Sequence, residues 1–326
     1  MLQAPRWSDL RPLLLLLPFA LWGTAMAAMK PLLAGGTPLQ VACLRLLPAG
    51  LLLVLVAQGL GRPLRIDRRD WPWLLAFALV DGSLFQGLLA RGLGQTGAGL
   101  GSVLIDSQPL LVALLARTLF GEAINPVGWL GLMLGLLGIL CLGLPPALLG
   151  HWWLDGPAAI GVRAWSHGEL WMLAAAAAMA VGTVLSRYAS RHSDPVAITG
   201  WHMLIGGLPL ALLAALPVEQ GAPWLPVWGA AEWGLMAYAT VFGSALAYGL
   251  FFWFASSGDL TGFTALTFLT PVFALGCGVL WLGEQLRPLQ WLGAGLALLS
   301  VLLINRRAQL WQGGTAVIPE AAAEAP

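Results

Sequence analysis

Two acids interrupt long apolar runs. Asp81 and Asp106 both lie inside stretches long enough to cross a bilayer, where a carboxylate near a helix centre costs ~2.5 to 3.5 kcal/mol even on the lenient insertion scale. Each predicts a cavity-facing proton carrier or cation site, or else an acid bonded to a neighbouring helix for packing alone. Ser102 precedes Asp106 by four residues on the same helix face, and Gln108 follows by two, so the polar patch is extended. Thr264, Thr267 and Thr270 recur every three residues. Such a hydroxyl stripe either binds solute or bonds back to its own preceding turn. Gln86 and Tyr248 stand 162 residues apart, and each carries a group able to donate to a solute. Trp22 and Trp253 lie deeper in apolar runs than most of the 17 tryptophans. The others read as headgroup anchors; these two are candidates for a stacking wall against a flat or apolar solute.

Other polar residues read more plainly. Arg45 and His202 occupy matching places in two helices and predict a hydrogen bond or ion pair to a neighbouring helix. Glu122 and Glu284 each follow a glycine at the end of a span, which suits capping or loop pairing. Cys43, Cys141 and Cys277 lack the spacing of a metal or redox site and read as small buried hydrophobes. Neither Gly-x-Ser-x-Gly nor His-Glu-x-x-His occurs, and only His202 of four histidines falls within a span. That weighs against an intramembrane enzyme. No phosphate-binding glycine loop is present, so no cofactor or nucleotide is expected, and work must be drawn from a gradient.

The elements that position these residues follow from composition. Of 326 residues, 59% are hydrophobic and 10% charged, against ~25% charged in ordinary soluble domains. A span takes ~20 apolar residues. The runs fall at 13–33, 39–58, 73–91, 97–118, 126–145, 169–187, 196–216, 231–254, 262–282 and 288–305. Backbone groups in lipid must be satisfied within their own segment, and the runs are too long and too unalternating for barrel strands. They predict an all-α membrane protein of ten transmembrane helices. Arg6 and Arg11 before an apolar run ending in Ala25-Met26-Ala27 mimic a cleavable signal; we read this run as an uncleaved first span. The net charge of +1 offers no field for nucleic acid.

Placing the N-terminus in the cytoplasm puts eleven Lys and Arg inside and four outside, so both termini are expected in the cytoplasm. A shift of 162 residues superposes Pro109 on Pro271, Gly121-Glu122 on Gly283-Glu284, Pro126 on Pro288 and Trp129-Leu130-Gly131 on Trp291-Leu292-Gly293. Gly82-Ser83 echoes Gly243-Ser244 at 161. The chain thus divides into repeats at 1–147 and 148–307, with a disordered cytoplasmic tail at 308–326. Five helices per repeat is odd, so the second repeat enters the bilayer upside down relative to the first.

These motifs, together with Leu21-Trp22-Gly23-Thr24 and Lys30 in the first helix and Arg45 in the second, resemble the drug/metabolite transporter superfamily, specifically the ten-helix EamA-type carriers with two EamA repeats. The likeness runs from about Leu13 to Arg306. It implies two inverted five-helix repeats around a central cavity lined by the first, third, fourth, sixth, eighth and ninth helices. The fifth and tenth would pack together at the periphery, which suits the small-xxx-small pairs Gly131/Gly135 and Gly293/Ala297. The second half carries Val181-Gly182-Thr183 in place of Trp22-Gly23-Thr24, and Phe268 answers Asp106. The expected function is secondary transport of amino acids or similar metabolites or drugs, by alternating access and in the export direction, across the cell membrane. Protons acting through Asp106 are a coupling hypothesis, and the unit is expected to be a monomer in the bilayer. An intramembrane enzyme and a passive channel are the alternatives.

Overall fold

The structure, a computed structural model, describes residues 7–96, 101, 104–143, 167–216, 225–282 and 287–311. The helices are α1 (Trp7–Gly35), α2 (Pro38–Gly59), α3 (Trp71–Gln95), α4 (Gln108–Phe120, with the turn before it), α5 (Pro126–Gly143), α6 (His167–Ala189) and α7 (Pro195–Ala214). They continue as α8 (Ala230–Ala255), α9 (Leu260–Thr264, Ala265–Leu269 and Thr270–Leu282), α10 (Pro288–Asn305) and α11 (Arg307–Trp311). Seven are long and apolar enough to cross a membrane, and the described parts of α4, α5 and α9 are shorter apolar helices. The fold is all-α, a membrane bundle of ten such helices.

Local chemistry sets the helix ends. Thr37 and Gln40 close a reciprocal cap on α2, and Asp194 accepts from the Val196 and Ala197 amides to start α7. Gly121, with φ of 67°, ends α4 in the left-handed conformation and turns Glu122 out of the helix.

Packing joins the repeats rather than separating them. α2 lies on α7, and α5 on α10; α1 packs on α8 and α9, while α6 packs on α3 and α4. Each first helix therefore docks against the third and fourth helices of the other half. A methyl group built on Gly138 would lie 2.9 Å from the Gly293 carbonyl oxygen. Only the missing side chains let α5 and α10 approach so closely.

Both third-position helices widen at matched places. α3 is a π-helix over Ala78–Phe85, and α8 over Val241–Leu246. Gly82-Ser83 and Gly243-Ser244 sit inside these segments. The Ser83 hydroxyl donates to the Gly206 carbonyl across the α3–α7 contact, whereas Ser244 donates to Ala239 five residues earlier in its own helix. A methyl group built on Gly206 would lie 2.4 Å from the Ala78 carbonyl oxygen, so α7 touches α3 backbone to backbone.

Two expectations need correction. The fourth span is interrupted at Asp106 and Ser107, which form a turn, so that Asp106 lies at a break rather than along a continuous helix. The tail begins as helix α11, because Arg307 is held by Asp259 through two 2.8 Å bonds. Ser102, Glu284 and residues 312–326 lie outside the described residues.

Candidate functional site: a cavity between the repeats

A cavity of about 370 Å³ opens between the halves. Helices α1, α3, α4, α6, α8 and α9 all contribute to its wall, joined by Arg45 from α2 and Leu142 from α5. Its floor carries Trp22, Tyr248 and Thr267. From there it runs toward the end of the bundle opposite the termini, past Met29, Leu93 and Leu275.

The wall is mostly apolar, with a few polar groups brought together from distant segments. Gln108 reaches from α4 to the Thr267 hydroxyl on α9 at 3.5 Å. Asp106 lines the wall beside it at the helix break. Trp22 packs its ring against Tyr248 and Phe251 at 5.0 and 4.9 Å between centroids. Its indole N–H has no protein partner, nor do Gln108 Oε1, Thr270 Oγ1 and Arg45 Nε, although all are buried. Buried polar atoms are normally paired, and groups left open around a cavity are those a polar solute or water would satisfy.

Arg45 corrects the expectation of a helix remote from the cavity. It is buried, donates to the Ser244 hydroxyl at 2.7 Å, and is bonded to Gln86. The widened turn of α8 puts Ser244 within its reach. The sequence signal for this was the pairing of a lone intramembrane arginine with the repeat-matched Gly243-Ser244.

The remaining candidates separate clearly. Trp22, Asp106, Gln108, Tyr248 and Thr267 are brought together on the wall. Gln86 is fully buried one layer behind, holding Arg45. Asp81 is fully buried behind the wall and faces His202, at 3.1 Å. Trp253 is 40% exposed on the outer side of α8, tilted against the Phe254 ring with Arg62 over its own. It anchors the bundle surface and forms no part of the cavity wall. Thr264 bonds back to Leu260, whereas Thr267 and Thr270 reach the cavity.

Toward the termini the cavity is shut. Phe19, Phe251 and Phe263 meet in the centre with centroids 5.2 to 6.1 Å apart. Below them Glu122 accepts from the Leu260 and Thr261 amides at 2.9 and 3.1 Å and from the Thr261 hydroxyl at 2.7 Å. Arg187 lies 3.5 Å from Glu122 and donates to the Ala255 carbonyl. Asp70 accepts from the His192 amide and Ser193 hydroxyl, and Arg62 pairs with Asp194 at 2.7 Å. Apart from the Arg187–Ala255 bond, these hydrogen bonds and ion pairs run from one repeat to the other. Glu122 thus caps a helix, as its sequence position suggested, and that helix belongs to the opposite half. At the cavity end, Lys30 instead donates to the Leu93 and Thr96 carbonyls of its own repeat.

The chain is similar to the EamA-like transporter family over residues 11–144 and again over 166–306. It is 55% identical over 303 residues to an uncharacterized transporter of Synechocystis, the match covering 91% of this chain and 90% of that protein. A WAT1-related chloroplastic protein of Arabidopsis thaliana is 47% identical over 294 residues, covering 89% and 68%. A solved crystal structure shares the fold, with a TM-score of 0.71 at 20% identity, covering 91% of this chain and 98% of that one.

Proposed function

Since the chain belongs to the EamA-like transporter family, we propose that it is a secondary carrier exporting small organic metabolites, amino acids or similar solutes, by alternating access. The observation that carries this reading is a cavity between two inverted halves, shut at one end by contacts that link those halves. Rocking one half on the other would break that end and close the opposite one. With the positively charged loops in the cytoplasm, the cavity faces outward and both termini are inside.

The chemistry of the wall supports a solute with a polar head and an apolar body. Arg45 supplies positive charge, Asp106 negative charge, and Gln108, Thr270 and the Trp22 N–H supply hydrogen bonds. Methionine and aromatic side chains cover the rest. Such a set suits a zwitterion better than a polyanion.

A plug of fully buried Phe19 and Phe251 favours a carrier over an open channel. The test is a metabolite resistance screen in cells overexpressing the chain, followed by counterflow in vesicles with the best hit. Saturable uptake accelerated by unlabelled solute on the far side is expected. Flux that rises linearly with concentration and shows no counterflow would favour a channel and overturn the proposal.

A further inference from the structure

Behind the cavity wall lies a titratable pair that solute binding does not use. Asp81 sits on the π segment of α3 and His202 on α7, both fully buried, with Nε2 3.1 Å from Oδ2. The other ring nitrogen, Nδ1, lies 2.7 Å from the Thr199 carbonyl oxygen. A carbonyl only accepts, so Nδ1 carries a hydrogen. Nε2 then bears a second hydrogen only in the imidazolium form. Two arrangements satisfy the 3.1 Å contact: a carboxylic acid donating to Nε2, or an imidazolium donating to the carboxylate. Each contains one bridging proton, and each leaves the pair neutral overall. Removing that proton sets a carboxylate lone pair against an imidazole lone pair, with a net negative charge where water does not reach.

The surroundings hold the ring in that geometry. Phe77 stacks on the imidazole at 3.9 Å, and Phe252 meets it edge-on at 5.4 Å. From α6 the pair faces Gly182, where an added methyl would lie 2.7 Å from Asp81 Oδ1. The charged and titratable groups acting on it from other helices are Arg45 of α2 and Tyr248 of α8. Asp81 Oδ1 has no protein partner.

The pair also straddles the moving parts. Asp81 belongs to the first repeat and His202 to the second, and they meet beside the close α3–α7 contact at Gly82 and Gly206. We infer that Asp81 and His202 form a proton-binding site separate from the solute cavity, which holds one bridging proton while the terminal end is shut and releases it when the repeats rearrange. Displacing α3 against α7 separates the two side chains. Asp81 is then left with the Arg45 guanidinium as its nearest compensating charge, and the proton passes to water. The release half of this inference rests on the carrier reading; the bridging proton does not.

The full chain in lipid nanodiscs, labelled with 15N-histidine, tests the first half. The resonance lost in His202→Gln should show a protonated Nδ1 and a hydrogen bridging Nε2 to the Asp81 carboxyl. An Nε2 that behaves as a free imidazole nitrogen would overturn the site. For the second half, spin labels at Arg65→Cys and Ser257→Cys, on a background without native cysteines, report the opening of the terminal end. The wild-type distance should lengthen with rising pH, and Asp81→Asn, which still offers an N–H to Nε2, should lose that response while keeping the closed distance. A pH-independent wild-type distance, or a full response in Asp81→Asn, would refute the inference. Counterflow of the same proteins reconstituted in sealed vesicles keeps the readings apart. Intact counterflow without a pH response sinks this site alone, whereas a pH-responsive distance without counterflow sinks the carrier.

Discussion

Trp22 and Trp253 look alike in the sequence and part company in space. Trp253 follows Tyr248 by five residues, which is roughly 140° around a helix, so the two cannot share a face. Tyr248 points into the bundle and Trp253 out of it. Replacing Trp22 by Phe should keep the ring contacts with Tyr248 and Phe251 but delete the unpartnered N–H. A neutral hydrogen bond contributes about 0.5 to 1.5 kcal/mol, so KM for the transported solute should rise about 2- to 10-fold with thermal stability unchanged. Trp253→Ala should leave KM as it is. Equal effects of the two substitutions on KM would place the cavity wrongly. Residue type flagged Trp22, Asp106, Gln108 and Thr267 because a polar or aromatic group deep in an apolar run needs a reason. It could not pair Asp81 with His202, since their contact spans 121 positions and depends on how two helices are rotated.

Among the elements, the ends of the second, third and sixth to tenth spans were legible to within a few residues, because hydrocarbon thickness fixes helix length. The π segments were not. Nothing in residue type distinguishes them, although the repeated Gly-Ser marks both sites. The break at Asp106 was equally hidden inside an apolar run. Glu122 shows what an element end contributes: one carboxylate satisfies three donors at the start of α9. An anion there also meets the positive end of the helix dipole. Hydrogen bonds to a charged group contribute about 1.5 to 3 kcal/mol each, and Glu122 is largely buried. Glu122→Ala should therefore move the population away from the closed terminal end by about tenfold or more. Faster alkylation of a cysteine placed at buried Ala189 would report it. Unchanged labelling would mean that the phenylalanines alone hold the end shut.

For the molecule as a whole, the inverted repeat was readable from one offset, whereas the pairing of α5 with α10 came from the family resemblance, with the small-residue spacing in agreement. Which end stood open was not, because the two conformations share one sequence. The tail attachment has its own pH signature. Burial acts to raise Asp259, but hydrogen bonds from Arg307 and the Gly262 amide outweigh it and hold the carboxyl below the usual carboxylate range. Its contribution is thus complete above the ordinary value of ~3.9 and is lost only as pH falls through the lower folded value. Asp259 is 46% exposed, so global stability should change little. Limited proteolysis within α11 should be slow from neutral to mildly acidic pH in the wild type, and fast throughout in Asp259→Asn. Cleavage at equal rates would show that α11 is held by other contacts.

The three phenylalanines beneath the cavity offer no donor or acceptor along which a proton could hop. A bilayer crowded with this chain should therefore stay electrically tight in this conformation, with ions and hydronium alike stopped at a layer of rings. Trimming Phe251 to alanine would let a water file through, and planar-bilayer recordings should then pick up a leak current that the intact chain does not pass. A current of the same size in both would mean that insulation resides elsewhere.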